Sequence, residues 1–241
     1  MDEKIVEILN GIPGKKGAYL NQVYDPKIHK YFVPIFPDDP FFENIRKIHR
    51  NGYNGSNIKV AVVDTGLMLD HPWINRSIEK SIDFTGEGVE DLNGHGTMVA
   101  LILLATAPGV KIFNVKVMDS EGRGTEKDLI KGIEWAVQEG AQIINLSVGV
   151  YRKKWGIWDC KGDCKICRVA EKAARSGVLV VAAAGNEPGK TYCPAKVGII
   201  KRDIGVISVA AYDFENKMIA PYSGVGNITA PVGKYSLVPV E

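Results

Sequence analysis

Between residues 58 and 210, short apolar runs alternate with amphipathic stretches. Ile58–Val63, Lys111–Val117, Gln142–Val148, Val178–Ala183 and Gly205–Ala210 are brief and rich in β-branched residues, which predicts buried strands. Thr97–Ala107, Glu126–Glu139 and Cys167–Ser176 carry apolar residues at helical spacing. The last two end at Gly140 and Gly177, residues that suit a helix C-terminus because glycine adopts the left-handed conformation needed there. Strands alternating with helices predict an α/β fold, with a mostly parallel sheet covered on both faces.

Residues 1–55 lack this alternation and read as an arm, leaving 56–241 as the domain. IVEIL at 5–9 would make a turn or two of helix. Prolines at 34, 37 and 40 break any regular element. FFENIRKIH has the spacing of a short amphipathic helix, and RNGYNG after it is turn chemistry. The arm is either a cut-down propeptide or a packing extension.

Composition narrows the class. Hydrophobic residues make up 45% and charged residues 24% of 241, which are ordinary globular values. The net charge of +2 gives no attraction to nucleic acid or an anionic membrane. The most apolar windows, 99–107 and 178–184, are far shorter than the roughly 20 residues a bilayer needs. The start MDEKIVEILNG has early acids and no long apolar stretch, so it is not a secretory signal, and the expected location is cytoplasmic.

In an open α/β sheet, functional groups lie beyond the carboxyl ends of the strands. Here those ends carry Asp64, Gly122–Gly124, Ser147 and Asn186. Asp64 ends the buried run VAVVD. A shielded carboxylate there can hold an imidazole in one tautomer and stabilise its protonated form. His95, in NGHGT, opens a helix in a glycine context that lets backbone pass close by. Taken singly, Asp64 also fits a turn-capping aspartate, His95 a helix-start histidine, and Asn186 a loop asparagine before Pro188.

The ordered set VVDTG, GHGT, VKVMDSEGRG, INLSVG and VVAAAGNE resembles the subtilisin-like serine proteases, from about Lys59 to Pro231. The resemblance implies a three-layer sandwich with its C-terminal part missing. It makes Asp64 the triad aspartate, His95 the general base and Asn186 the donor to the tetrahedral oxyanion. It places Gly122, Arg123 and Gly124 on one edge, and Ser147, Val148 and Gly149 on the other, of a groove for an extended peptide or protein substrate held by strand addition. Glu187 would lie near the pocket for the residue before the cut and favour basic side chains.

The third triad member is absent from these residues. The family nucleophile sits in Gly-Thr-Ser-x-Ala at the start of a buried helix. The nine serines are 56, 77, 81, 120, 147, 176, 208, 223 and 236, and none follows Gly-Thr. Ala230-Pro231 and YSLVPV fit the segment just before the nucleophile, after which the sequence stops at Glu241. The expectation is a truncated or split subtilase, inactive alone and open to a complementing C-terminal segment. The alternative is an inactive peptide-binding relative. The burial contributed by the missing helix rivals the net stability of a whole domain, about 5–15 kcal/mol. Two further departures concern metal and packing. Met98 replaces a second histidine after His-Gly-Thr. The usual calcium loop is expected to be deleted, since VALILLATAPGVKIFNVKV runs straight from helix to strand and Trp73 stands where relatives place an acidic ligand.

Four cysteines remain: Cys160, Cys164, Cys167 and Cys193. The spacing C-x3-C-x2-C also occurs in radical-SAM iron–sulfur loops, but nothing else here fits that family. Two disulfides, a four-thiolate zinc site and free thiols stay open.

Overall fold

The β-branched run after Asn57 forms the first strand of the main sheet, β1 (Lys59–Asp64), buried from Val60 onward. The structure, a computed structural model, describes residues 24–25, 30–31, 40–150, 153–154, 157–158, 160–201, 204–213, 216, 218–226 and 228–231. The expected helical turn at 5–9 and the segment YSLVPV lie outside the described residues. Helix α1 (Pro40–Arg50) occupies the FFENIRKIH stretch. After β1 come α2 (Pro72–Asn75), β2 (Ile78–Asp83), α3 (His95–Thr106) and β3 (Lys111–Lys116). Next are α4 (Glu126–Gln138), β4 (Ile143–Leu146), α5 (Lys165–Arg175) and β5 (Leu179–Ala183). The last are α6 (Lys196–Ile200), β6 (Val206–Asp213), β7 (Met218–Ile219) and β8 (Ile228–Pro231). Two short ribbons pair Tyr24–Asp25 with Lys30–Tyr31 and Lys153–Lys154 with Ile157–Trp158.

The sheet order is β7-β6-β5-β4-β1-β3-β2, and β8 also pairs with β6. Every pairing is parallel except that of β6 with β7. The expected α/β architecture is therefore present. Strand β2 was not legible in the pattern. It pairs only with β3, at the sheet edge, and its sequence IEKSID alternates between half-buried and exposed positions. An edge strand with one wet face needs no continuous apolar run.

Alternation along the strands divides the core in two. Ala61 and Val63 of β1, with Phe113 and Val115 of β3, face α4, α5 and α6. Val60 and Val62, with Ile112, face α2 and α3. Helix α3 is apolar nearly all round, HGTMVALILLAT, as expected for a helix buried in a layer. Among the described residues no helix is long and apolar enough to cross a membrane.

The α3 side of the sheet is unevenly covered. Beneath α3 the β1 residues are buried, yet Ile143, Val181, Ile207 and Val209 are only half-buried and Leu179 is 36% exposed. The opposite face of the same strands, through Ile144, Val180, Ala182 and Val206, is buried.

Helix α4 touches the sheet at Gly132. A Cβ there would lie 2.6 Å from Val117 Cγ1 and 3.1 Å from Val115 Cγ1. Helix propensity alone would favour Gly132→Ala by about 1 kcal/mol. The clash with two branched side chains should win, so Gly132→Ala is expected to lower stability by about 1–3 kcal/mol. Urea denaturation checks this, and a more stable variant would show that α4 can lift without cost.

Candidate active site

Asp64 and Lys116 occupy paired positions at the carboxyl ends of β1 and β3, on the face that carries α3. Helix α3 begins with His95, so its first imidazole arrives above the end of β1. His95 Nδ1 lies 2.6 Å from Asp64 Oδ1. The Asp64 side chain is 1% and the His95 side chain 13% exposed, so the pair is almost dry. Thr65 N also donates to Asp64 Oδ1 at 2.8 Å. Asp64 Oδ2 is buried and meets no donor among the described residues.

Backbone approach makes this contact possible. A Cβ on residue 96 would fall 2.3 Å from Gly66 O and 3.1 Å from Asp64 Cβ, so only glycine lets the helix start sit on the strand end. Gly66 has φ +103 and would strike Glu90 O at 2.8 Å if substituted.

Asp91 then locks the junction. Its Oδ1 accepts from Thr65 Oγ1 at 2.9 Å, Gly94 N at 2.8 Å and Asn93 N at 3.0 Å. Its Oδ2 accepts from Thr97 N at 2.8 Å and Thr97 Oγ1 at 2.6 Å. Thr65 Oγ1 in turn accepts from Gly96 N at 2.9 Å. Lys116 is fully buried and donates to Glu90 O at 2.8 Å, holding the segment before Asp91 against β3. Asp91 and Lys116 were not singled out in the sequence. Asp-Leu-Asn-Gly reads as ordinary turn chemistry, and a lysine inside an apolar run gives no hint of its partner.

One cleft of about 450 Å³ collects most of the remaining candidates. His95, Gly122–Gly124, Ser147–Gly149 and Asn186 all line it. The Gly122–Gly124 turn is shaped by Asp119, whose Oδ1 accepts from Glu121 N and Arg123 N at 2.9 Å. Gly124 forms an isolated antiparallel bridge with Met118. Ser147 Oγ accepts from Asn145 Nδ2 at 3.0 Å.

Asn186 is positioned by packing on its neighbours. Gly185, at φ +104, would put a Cβ 2.4 Å from the Tyr192 ring. Gly224 N donates to Gly185 O at 2.7 Å, and Val225 N to Lys190 O at 2.7 Å. The loop therefore rests on Tyr192 from one side and on residues 224–225 from the other. Glu187 is not among the residues lining the cleft. Its carboxylate pairs with Lys190 and accepts from Tyr192 Oη at 3.3 Å.

The family profile described as the Subtilase family, Peptidase S8, matches residues 55–238. The chain belongs to the subtilase family. It is 34% identical to Subtilisin DY of Bacillus licheniformis over 223 residues, which are 87% of this chain and 74% of that protein. It is 33% identical to Subtilisin NAT of Bacillus subtilis subsp. natto over 237 residues, 94% of this chain and 58% of that protein. The crystal structure of a lanthipeptide protease resembles it with a TM-score of 0.63 at 28% identity, over 80% of this chain and 61% of that one. Several subtilisins it matches are thus spanned over little more than half their length.

Two positions that depart from the subtilase pattern are packing sites. Met98 is buried on the α3 side of the core. Trp73 N donates to His71 Nδ1 at 3.2 Å, and the two rings meet edge-on. The chain passes from α3 to β3 through residues 107–110 alone.

The four cysteines converge although they are split between two distant segments. All four Sγ atoms lie within 4.8 Å of one another, and none is disulfide-bonded. The neighbouring Cys167 and Cys193 thiols hold the Cys164 thiol far below its usual range. The same contacts with Cys164, helped by burial, push Cys167 and Cys193 up.

Burial alone would lower the pKa of His95, but the charge of Asp64, its hydrogen bond and the charge of Asp91 outweigh it and raise the value above 6.5. A raised folded-state pKa means that the pair stabilises the fold fully below pH 6.5. That contribution is lost as pH rises through the folded value. NMR titration of the His95 ring should give a midpoint above 6.5, and Asp64→Asn should move it down. An unmoved midpoint would mean that the Asp64 charge is not what holds the proton.

Proposed function

We propose that the cleft is the site of a serine endopeptidase that hydrolyses an extended peptide. The observation that carries this reading is the convergence of the buried Asp64–His95 pair and Asn186 at one cleft bounded by two peptide-edge segments. Asp64 occupies Nδ1 and fixes the tautomer, so Nε2 is the nitrogen that takes the nucleophile's proton and returns it to the leaving amine. The Asn186 amide offers N–H where negative charge develops on the carbonyl oxygen, and it costs nothing to reorganise there. Gly122–Gly124 and Ser147–Gly149 bind the substrate backbone as added strands.

The nucleophile in this reading is a serine hydroxyl carried on a helix. The half-exposed apolar face of β4, β5 and β6 beside α3 supports it, because a helix laid there would bury Val181, Ile207 and Val209 and start near the cleft. The 241 residues contain no Gly-Thr-Ser. In a second reading the cleft holds peptides without cutting them.

A fluorophosphonate probe applied to the product of the native gene separates the two. Labelling that disappears in His95→Ala supports the peptidase. Absence of label, with peptide binding retained and no turnover, moves the assignment to the second reading. In the labelled enzyme, Asn186→Ala should lower kcat by about 10²–10³ with little change in KM. Asp64→Asn should lower kcat by about 10⁴. An unchanged kcat in Asn186→Ala would remove the asparagine from the oxyanion site.

A further inference from the structure

We propose that Cys160, Cys164, Cys167 and Cys193 hold a single zinc ion as four thiolates, and that this ion braces one wall of the cleft. The proposal is independent of whether the cleft cuts peptides.

Sulfur geometry is the first argument. Four thiolates around one zinc at about 2.3 Å stand about 3.8 Å apart along the edges of a tetrahedron. Here Cys160 Sγ lies 3.9 Å from Cys167 Sγ and 3.2 Å from Cys193 Sγ, and all four fall within 4.8 Å of one another. A cluster of several irons would need the sulfurs spread more widely. Two disulfides would draw the sulfurs into two tight pairs rather than one compact group.

The local backbone is the second argument. Cys164 is the N-cap of α5, and Cys167 sits in its first turn. Gly162 has φ +75, which lets the chain turn back between Cys160 and Cys164. A zinc with four thiolates carries a net charge of −2, and the N-terminus of α5 lies alongside to offset it. On loading, the thiols lose their protons to solvent and each sulfur forms one bond to zinc.

Placement gives the ion its role. Val150 and Cys193 exchange backbone hydrogen bonds at 2.9 and 3.1 Å. Val150 and Tyr192 line the cleft, and Tyr192 packs on Gly185 beside Asn186. An ion bound to Cys193 therefore ties α5 to the strand-like edge at Val150 and to the loop that carries Asn186.

The test is the metal content of the full 241-residue chain purified under reducing conditions, read by inductively coupled plasma mass spectrometry. One zinc per chain is expected, released by a thiol-binding mercurial and accompanied by a fall in Tm. Cobalt exchanged into the site should show the intense sulfur-to-metal bands of a tetrahedral tetrathiolate. Cys164→Ser, at the least buried of the four, should weaken zinc by at least about tenfold while leaving the far-ultraviolet circular dichroism unchanged. Should that variant fail to fold, the cobalt spectrum of the unaltered chain still decides. Metal-free folded protein with four titratable thiols, iron in place of zinc, or, in protein purified without reductant, an intact mass short of the reduced chain by the hydrogens lost to two disulfides would each overturn the proposal.

Discussion

The approach of the N-terminus of α3 to the carboxyl end of β1 is the contact on which the site depends. Asp64 and His95 are 31 residues apart, and they meet at 2.6 Å because backbone touches backbone one residue further on. No side chain fits between Gly96 and Gly66 O. Such a junction brings polar backbone groups into a dry place, and each one left unpaired there costs roughly 1–3 kcal/mol. Asp91 resolves this by accepting from Gly94, Thr97 and Thr65 with one buried carboxylate. The charge that steadies the junction also contributes to holding the His95 proton. Structure and proton affinity are therefore set by the same few groups, and a change at Asp91 would disturb both.

Much of the fold was legible because its parallel strands are continuously apolar. Strand β1 is buried on both faces, and a run such as VAVV leaves few alternatives; LVVAA of β5 carries the same signal although its α3-side face is half-open. Helices α3, α4 and α5 were legible within about two residues, whereas the short α2 and α6 were not read. The apolar pattern of α3 starts at Thr97, two residues after the start marked by the glycine context of His95, and α5 begins at Lys165 rather than Cys167. A helix start is decided by which backbone donors find partners, and in α3 the partner is Asp91, distant from any local pattern. Strand β2 escaped for the opposite reason: half of it faces water, so Glu79 and Lys80 are tolerated. At the site, Asp64, His95 and Asn186 stand out because their glycine neighbours announce close approach. Lys116 and Asp91 do not, since their roles exist only through contacts that the fold creates. The cysteine spacing left three chemistries open, and nothing in it shows that the distant Cys193 sulfur joins the other three.

The sheet is covered in proportion to what these residues can supply. On the side of α4, α5 and α6 the core is closed, and even the small Ala182 is fully buried. On the other side, α3 covers β1 and β3 but leaves β4, β5 and β6 half-open. The open strip adjoins the strand ends that bear Ser147 and Ala183, both in the cleft. Apolar surface at that place is costly in water and favourable against a helix, at about 25 cal/mol per Å².

The cysteine group lies where this uneven coverage would be felt. Helix α5 packs on the closed side, whereas Tyr192 and Asn186 reach the cleft. Between them runs the Val150–Cys193 bridge, an isolated pairing outside the main sheet. A two-residue bridge has little stability of its own, because the entropy of ordering it is offset by only two hydrogen bonds. Four bonds from sulfur to one ion would anchor it to the first turn of α5 without further apolar surface. Metal at this point would therefore set the rigidity of the cleft wall opposite Gly122–Gly124. Binding at the proposed peptide cleft would depend on it even though no cysteine lines that cleft.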